Sequence, residues 1–378
     1  MVNIPFNKPY MTGKELWYIS QAHANGHLSG DGAFTKRCNA WLEQRTGCHK
    51  AMLTHSCTAA LDMAAILADI QPGDEVIMPS FTFVSTANAF VLRGGVPVFV
   101  DIRADTLNID ETKIEEAITP RTKAIAPVHY AGVGCEMDAI MKIAEKHGLL
   151  VIEDAAQGIM ATYRARPLGS IGHLGALSFH ETKNVISGEG GALLVNDMRF
   201  AERAEIIREK GTNRNQFFRG EVDKYTWVDI GSSFLPGEII AAFLWAQMEE
   251  ADQLMRRRLA IWNAYHQAFE DLENKELLRR PIIGKGCEHN AHMYYILLAD
   301  LEKRTKVIDV LGRYGIRAVF HYVPLHDSPA GRKYGRAVGD LALTSSLSER
   351  LLRLPLSLGM EQYVDRIVRG VAEALTRA

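Results

Sequence analysis

The chain has 378 residues, of which 47% are hydrophobic and 23% are charged, and its formal net charge is −2. This length is more than one domain usually needs, and the composition is that of an ordinary globular protein. The densest basic run, Arg256-Arg257-Arg258, lies within a helical pattern and is interpreted as a solvated helix face. We therefore expect two domains, with neither nucleic acid nor a membrane as a partner.

The cysteines and the N-terminus indicate the compartment. The five cysteines are odd in number and form no C-x-x-C pair, and the thirteen histidines include no H-E-x-x-H pattern. This usage argues against a disulfide framework and against a metal site. Because a signal peptide pattern and apolar runs of about 18 residues are both missing, we expect a soluble, cytoplasmic protein.

The first structural signals lie within residues 25–72. A glycine-rich loop at 25–32 precedes a predicted helix from Phe34 to Arg45. Further on, Ser56 and Thr58 stand directly before a second helical pattern that stops at Pro72-Gly73, and either residue would cap this helix. The free N–H groups of such a helix start also form a seat for a phosphate. A plain N-cap is the alternative interpretation.

The next part of the chain has the pattern of an α/β protein. Apolar runs alternate with helical periodicity such as that of Met137–His147. The runs are Glu75–Met78, Pro97–Val100, Ala124–Val128, Leu149–Ile152, Ala176–Phe179 and Ala192–Val195. Strands that are apolar throughout and are joined by helices predict a mostly parallel sheet covered on both faces.

Polar segments follow three of these runs, where open α/β sheets bind their ligands. Residues 80–88 include two aromatic side chains that can cover a flat ring. Residues 153–158 include Asp154 and Gln157, which share a face if a helical turn begins there. The third segment, residues 178–183, ends in a lysine. These segments are therefore the candidate binding site.

Lys183 is predicted to lie on the short link between two core strands, followed by the glycine-rich turn Gly188–Gly191. A partly desolvated lysine can lose its proton and attack a carbonyl group, although most loop lysines are simply solvated. A phosphate seat, an aromatic ring, a carboxylate, an amide and a lysine together match the requirements of pyridoxal 5′-phosphate (PLP). The pattern therefore predicts a PLP site.

The rest of the chain includes a long polar stretch and a second domain. Residues 212–227 show no periodicity, and their arginine, lysine and aromatic side chains suit a nucleotide diphosphate and its base, or a surface excursion. A helix from Glu238 to about Leu272 is expected to cross between domains 1–245 and 246–378. In the second domain we predict, in order, a strand, a helix, a strand and two helices: Met293–Leu298, Lys303–Tyr314, Ala318–Val323, Ser346–Leu352 and Tyr363–Thr376.

Several motifs together resemble the DegT/StrS group of PLP-dependent sugar aminotransferases, and the resemblance covers nearly the whole chain. They are Gly73–Ile77, Pro79–Phe83, Pro127–Gly132, Glu153–Gln157, Ser178–Asn184 and Glu189–Gly191. The resemblance implies the aspartate aminotransferase-like (type I) fold, with a large PLP-binding domain carrying an N-terminal arm and a smaller C-terminal α+β domain. It also implies a homodimer whose active sites are shared between the chains.

The resemblance implies roles for individual residues. Lys183 forms the covalent link to PLP and moves the proton, Asp154 pairs with the pyridine nitrogen, Gln157 lies near the ring hydroxyl, and Phe83 stacks on the ring. The phosphate is assigned to Ser56, Cys57, Thr58 and Ser178. The substrates, a nucleotide-linked keto sugar and L-glutamate, are assigned to His180, Arg214, Arg219, Lys224, Tyr225, His321 and Tyr322.

One departure and three alternatives accompany this prediction. Where relatives often have an asparagine that reaches the partner's cofactor phosphate, this chain has Leu235, near Ser232 and Ser233. A related PLP sugar dehydratase would have a histidine in place of Lys183. A non-enzymatic PLP-binding sensor would lack the lysine or carry a DNA-binding module. A nicotinamide dehydrogenase would need a glycine fingerprint, which is missing here.

Overall fold

The fold is taken from a computed structural model of the chain, and its description covers residues 3–377. The strands are β1 Lys50–Thr54, β2 Glu75–Pro79, β3 Val96–Val100, β4 Thr122–Ile125, β5 Leu150–Asp154, β6 Thr162–Tyr163, β7 Arg166–Pro167, β8 Leu174–Ser178, β9 Gly191–Val195, β10 Cys287–Glu288, β11 Tyr294–Leu297, β12 Arg336–Ala337 and β13 Leu351–Leu354. The helices are α1 Glu15–Ala24, α2 Ala33–Thr46, α3 Cys57–Leu67, α4 Val84–Val91, α5 Ile114–Ala117, α6 Met137–His147, α7 Ala201–Arg208, α8 Arg214–Phe218, α9 Glu238–Glu249, α10 Ala251–Ala268, α11 Glu270–Asn274, α12 Leu301–Arg313, α13 Pro329–Tyr334, α14 Ala342–Arg350 and α15 Val364–Arg377.

A central sheet of eight strands organises the molecule, in the order β1-β9-β8-β5-β4-β2-β3-β12. The neighbours from β8 through β12 are parallel, whereas β9 pairs antiparallel with both β8 and β1. Both faces of the sheet are covered, because alternate residues of β2 enter two different apolar clusters: Ile77 enters one, and Val76 and Met78 enter the other. The predicted α/β fold with a mostly parallel sheet is confirmed.

The C-terminal part of the chain forms a smaller antiparallel sheet of β11 and β13, with α12, α14 and α15 in contact around it. The short strand β12 leaves this part and pairs with β3 at the edge of the central sheet. A buried carboxylate fastens it there: Glu75 accepts hydrogen bonds from Arg336 (2.8 and 3.0 Å), Arg121 (2.8 Å) and Thr119 (2.7 Å). These bonds, led by those from Arg336, lower the pKa of Glu75 to about 2.

Three segments differ from the predicted elements. The predicted long helix is interrupted at Glu250, whose backbone is not helical (φ −101°, ψ 6°), so that α9 and α10 are separate. The predicted strand 318–323 is reduced to a single bridge at Val319, because His321 and Tyr322 bond to side chains outside the small sheet. The predicted helix 346–352 ends at Arg350, since Leu351 already begins β13.

Across residues 3–377, none of the helices combines the length and the apolar character that crossing a membrane requires.

Candidate active site

The loop between β8 and β9 places Lys183 at the edge of the central sheet. The two strands are in register from Ser178 opposite Gly191, and backbone bonds from Phe179 to Gly190 and from Glu181 to Gly188 keep the loop closed. A Cβ atom on Gly191 would lie 2.4 Å from the backbone nitrogen of Cys57. Only glycine therefore lets this strand pass so close to the start of α3.

The amine of Lys183 lies in an environment that favours its neutral form. Desolvation by the surrounding protein lowers its pKa, whereas Coulombic interactions with Cys57 and Asp154 oppose this shift and the charge of Arg353 adds to it. No hydrogen-bond or ion-pair partner of the Nζ atom is found within residues 3–377. Lys183 is thus a cavity-facing lysine without a fixed counter-ion, which is suited to nucleophilic attack.

A cavity of about 630 Å³ surrounds this lysine, within the size range of small-molecule sites. All residues predicted for the cofactor line it: Ser56, Cys57, Thr58, Phe83, Asp154, Gln157, Ser178 and Lys183. Three of the residues predicted for substrates also line it: His180, His321 and Tyr322. Predicted residues as far apart in sequence as Ser56 and Tyr322 therefore line one cavity.

The start of α3 forms an anion-binding end of the cavity. Ser56 is the N-cap, and its hydroxyl accepts a 3.0 Å bond from the N–H of Ala59. The N–H groups of Cys57 and Thr58 have no acceptor in the described part of the chain, as expected for the first turn of a helix. Thr58 also shares a 2.8 Å hydroxyl contact with Ser85. Free N–H groups, hydroxyls and the helix dipole together suit a phosphate.

The carboxylate side of the cavity is formed by Asp154, which is 4% exposed. Its Oδ2 accepts a 2.6 Å bond from the hydroxyl of Thr86, and its Oδ1 accepts a 3.1 Å bond from the N–H of Ala156. Asp154 is the last residue of β5, and the chain then turns without forming the helical turn that the sequence suggested. The acid is thus held by the strand end itself.

Gln157 joins the cofactor side of the cavity to the segment 320–322 of the C-terminal part of the chain. Its Oε1 accepts a 2.7 Å bond from the N–H of Ala131, and its Nε2 donates a 2.9 Å bond to the hydroxyl of Tyr322. The ring of Tyr322 stacks on that of His321, with centroids 3.6 Å apart, and the Nδ1 of His321 lies 2.8 Å from the hydroxyl of Tyr130. The side chains around the cavity are therefore fixed to one another across both parts of the molecule.

A buried pair supports the end of β5 from behind. Glu153 accepts a 2.7 Å bond from Nε2 of His129, and neither side chain is exposed. The Nδ1 of His129 accepts a 3.1 Å bond from the N–H of Cys135, so the proton of the neutral ring is on Nε2. Glu153 also accepts the N–H groups of Gly169, Ile171 and Gly172, which fixes the strand end on which Asp154 lies.

Five residues to which sequence reasoning assigned no individual role also belong to this region: Phe6, Asn7, Thr86, His292 and Arg353. Burial, followed by the charge of Lys183, lowers the pKa of His292 well below its ordinary value, so this ring is neutral. One signal was available for Arg353, because it is the single charged residue in the apolar run 351–356. Phe6 and Asn7 carried no local signal.

The remaining predicted substrate residues lie elsewhere in this chain. Arg214, Arg219, Lys224 and Tyr225 are exposed and do not line the cavity. Arg219 is instead held 2.8 Å from Glu205. Ser232 and Ser233 are also exposed, and Leu235 packs beside Gly30, so none of these three lines the cavity. Within one chain, these residues do not reach the cofactor side.

The donor set of the cavity fits PLP. An unpaired lysine, a carboxylate, free N–H groups for a phosphate and an exposed aromatic ring, Phe83, face the same space at the carboxyl ends of the strands. A phosphate at α3 and an aldehyde near Lys183 would each meet a group of complementary chemistry.

The chain matches several other proteins over nearly its whole length. It is 34% identical to the spore coat polysaccharide biosynthesis protein SpsC of Bacillus subtilis, over 99% of this chain and 98% of that protein. It is 33% identical to the GDP-perosamine synthase of Caulobacter vibrioides, over 97% of both chains. The PLP form of Spr1654 from Streptococcus pneumoniae superimposes with a TM-score of 0.91, at 26% identity, over 100% of this chain and 99% of that one.

Fold and site thus define a PLP-dependent aminotransferase with the aspartate aminotransferase-like (type I) fold. The family model of the DegT/DnrJ/EryC1/StrS aminotransferases matches residues 9–372. The chain therefore belongs to the DegT/DnrJ/EryC1/StrS aminotransferase family.

Proposed function

We propose that the enzyme transfers the amino group of L-glutamate to C4 of dTDP-4-keto-6-deoxy-D-glucose, giving dTDP-4-amino-4,6-dideoxy-D-galactose and 2-oxoglutarate. The observation that carries the proposal is the unpaired Lys183 in a cavity that is also lined by residues 320–322. The segments 208–214 and 320–326 support this sugar, because they resemble the corresponding segments of transaminases that make this product. The similarity to GDP-perosamine synthase supports a nucleotide-linked sugar.

The proposed roles follow from where the side chains lie. When bound, PLP supplies an electron sink for the carbon that loses its proton. The N–H groups of Cys57 and Thr58, with the hydroxyls of Ser56 and Ser178, would hold its phosphate. The carboxylate of Asp154 would keep the ring nitrogen protonated, and the cavity-facing ring of Phe83 would cover the pyridine.

Lys183 has two proposed tasks. Its lowered pKa makes the free amine available for attack on a carbonyl carbon. The same Nζ atom would also take a proton from the substrate carbon that carries the nitrogen, and it would return a proton to that carbon when the reaction runs in the opposite direction. Gln157, which is fixed by Ala131 and Tyr322, would orient the ring hydroxyl.

We also propose a homodimer whose active sites are shared. Several large side chains in residues 217–230 are exposed, among them Tyr225 at 53% and Trp227 at 77%. A cluster of exposed aromatic residues next to Arg214 and Arg219 suits an interface that also meets the nucleotide of a neighbouring site. This arrangement would give the predicted substrate residues outside the cavity a role in the partner's site.

The test is direct product analysis. The purified enzyme is incubated with dTDP-4-keto-6-deoxy-D-glucose, L-glutamate and PLP, and the sugar product is analysed by NMR. We expect a single product with an axial amine at C4 and an equal amount of 2-oxoglutarate. An amine at C3, or turnover only of a GDP-linked sugar, would contradict the substrate assignment. Light scattering on the same sample should give twice the chain mass of 42.1 kDa.

A further inference from the structure

The segment 320–324, part of which lines the cavity, is fixed at both of its ends. At one end, Val319 exchanges backbone hydrogen bonds of 2.8 and 3.1 Å with Arg353 of β13. At the other end, the N–H of Leu325 donates a 3.0 Å bond to the carbonyl of Ser80. Between these two anchors, the backbone N–H groups have no acceptor in the described part of the chain. The position of the segment is therefore set by its anchors and by its side chains.

A serine and a histidine strengthen the second anchor. Ser80 directly follows β2 and is completely buried. Its Oγ accepts a 3.0 Å bond from the N–H of His326 and lies 2.7 Å from the Nδ1 atom of the same residue. A buried hydroxyl that has accepted one bond still has a hydrogen to donate, and Nδ1 is the one acceptor within its reach in residues 3–377. Ser80 therefore donates to Nδ1, and the neutral ring carries its proton on Nε2.

The other side of the imidazole ring agrees with this tautomer. The Nε2 atom of His326 lies 3.3 Å from Oδ2 of Asp327 and 3.4 Å from Oγ of Ser345, and both oxygens can accept its proton. The ring thus connects the end of β2 to α14 in the C-terminal part of the chain. Ser80 does not line the cavity, so this chain of hydrogen bonds does not activate a nucleophile for the substrates.

The same anchor supports the side chains that face the cavity. Phe81, the residue after Ser80, places its ring centroid 5.6 Å from that of Tyr322 and 6.2 Å from that of His321. The hydroxyl of Tyr322 in turn accepts the 2.9 Å bond from Gln157 on the cofactor side. A shift of the anchor would move this hydroxyl away from Gln157, because no backbone hydrogen bond between the two anchors holds the segment.

We propose that His326 is a positioning residue for the keto-sugar half-reaction, because its bond to Ser80 holds Tyr322 at the cavity wall. This inference rests on the proposed aminotransfer, in which Tyr322 is a substrate residue. The sugar is the larger of the two substrates and needs more of the wall that the segment 320–324 forms, whereas the amino donor reacts close to Lys183. Loss of the anchor is therefore expected to weaken sugar binding more than donor binding.

The experiment uses two substitutions of His326 that replace different ring atoms. His326→Asn puts a carbonyl oxygen at the place of Nδ1 and still accepts the bond from Ser80, whereas His326→Gln reaches the place of Nε2 and leaves Ser80 without a partner. Each half-reaction is followed in the holoenzyme by stopped-flow absorbance of the cofactor. The half-saturating concentration of dTDP-4-keto-6-deoxy-D-glucose should rise about tenfold in His326→Gln and less than about threefold in His326→Asn. That of L-glutamate should change less than about threefold in both variants.

Three further variants control this comparison. Ser80→Ala removes the hydroxyl itself and should match His326→Gln. His147→Gln makes the same exchange at a histidine that contacts Glu115 and does not line the cavity, so both half-reactions should be unchanged. In a Tyr322→Phe background, His326→Gln should cause little further loss, because the contact through which it acts is already missing.

A measurement on the apoenzyme needs no sugar. Tyrosine nitration by tetranitromethane is located by mass spectrometry. At Tyr322 it should be at least about threefold faster in His326→Gln than in the wild type or His326→Asn, because a hydroxyl released from Gln157 is more accessible. Nitration of the exposed Tyr225 should be equal in all three proteins and serves as the internal reference.

The outcomes separate this inference from the proposed function. Equal losses in both half-reactions, or a loss in His326→Asn as large as that in His326→Gln, would show that the histidine only supports the fold, and the inference would be wrong. Unchanged sugar saturation in His326→Gln would also overturn it. If the wild type does not aminate this sugar, the proposed substrate is wrong and the nitration rates decide the inference: faster nitration of Tyr322 in His326→Gln supports it, and an unchanged rate overturns it.

Discussion

The Lys183→Ala variant is expected to lose transamination by about 10⁴-fold, because one side chain supplies both the nucleophile and the acid–base group. The fold should remain intact, since Lys183 faces the cavity and makes no hydrogen bond or ion pair to the rest of residues 3–377 through its amine. Product formation from the keto sugar and L-glutamate measures the loss, and far-UV circular dichroism measures the fold.

The matched control is Lys306→Ala, which removes an exposed lysine of α12 whose one ion-pair partner within residues 3–377 is Glu302. This control should keep full activity. A small primary amine added to Lys183→Ala should restore part of the rate, because it replaces the missing acid–base group. If Lys183→Ala kept wild-type turnover, the proposed mechanism would have to be abandoned.

The Asp154→Asn variant is expected to lower the rate by about 10²- to 10⁴-fold, the range for removal of a buried electrostatic group that stabilises charge in the transition state. An amide has nearly the same shape as the carboxylate and is still able to accept the bond from Thr86. It does not carry the negative charge that would keep the pyridine nitrogen protonated. Steady-state rates, together with the absorbance spectrum of the bound cofactor, report the effect.

Two further variants separate charge from packing. Thr86→Val removes the 2.6 Å bond to Asp154 but leaves its charge, so its effect should be roughly tenfold or less. The matched control is Asp101→Asn. Asp101 accepts hydrogen bonds from the first N–H groups of α14 and does not line the cavity, so this variant should leave the rate unchanged. Equal rates for Asp154→Asn and the wild type would show that the ring nitrogen needs no acid here.

The parts of the site that could be predicted from sequence are those with local signals. Ser56 precedes an apolar helix and caps it, and Lys183 lies between two apolar runs that pair as β8 and β9. Asp154 was predicted because it ends an apolar run in a protein with a parallel sheet. In each case, the parallel arrangement places the carboxyl ends of the strands at one edge of the sheet. Local patterns are therefore sufficient to predict which residues lie there.

The parts that could not be predicted depend on contacts between distant residues. Arg353 and Phe6 meet although they are far apart in sequence, and neither has a pattern that indicates the other. The segment 318–323 has the composition of a strand, yet Tyr322 bonds to Gln157 and leaves the sheet. Tertiary contacts override local propensity at these positions. The positions line the cavity, and functional sites are where a structure is expected to depart from its local sequence pattern.

The most direct test of the account is to locate the amine that carries the cofactor. The holoenzyme is reduced with sodium borohydride and digested, and the phosphopyridoxyl group is located by mass spectrometry. We predict modification at Lys183 alone, and none in a Lys183→Ala sample. A label on another lysine, or a protein that takes up no PLP, would contradict it.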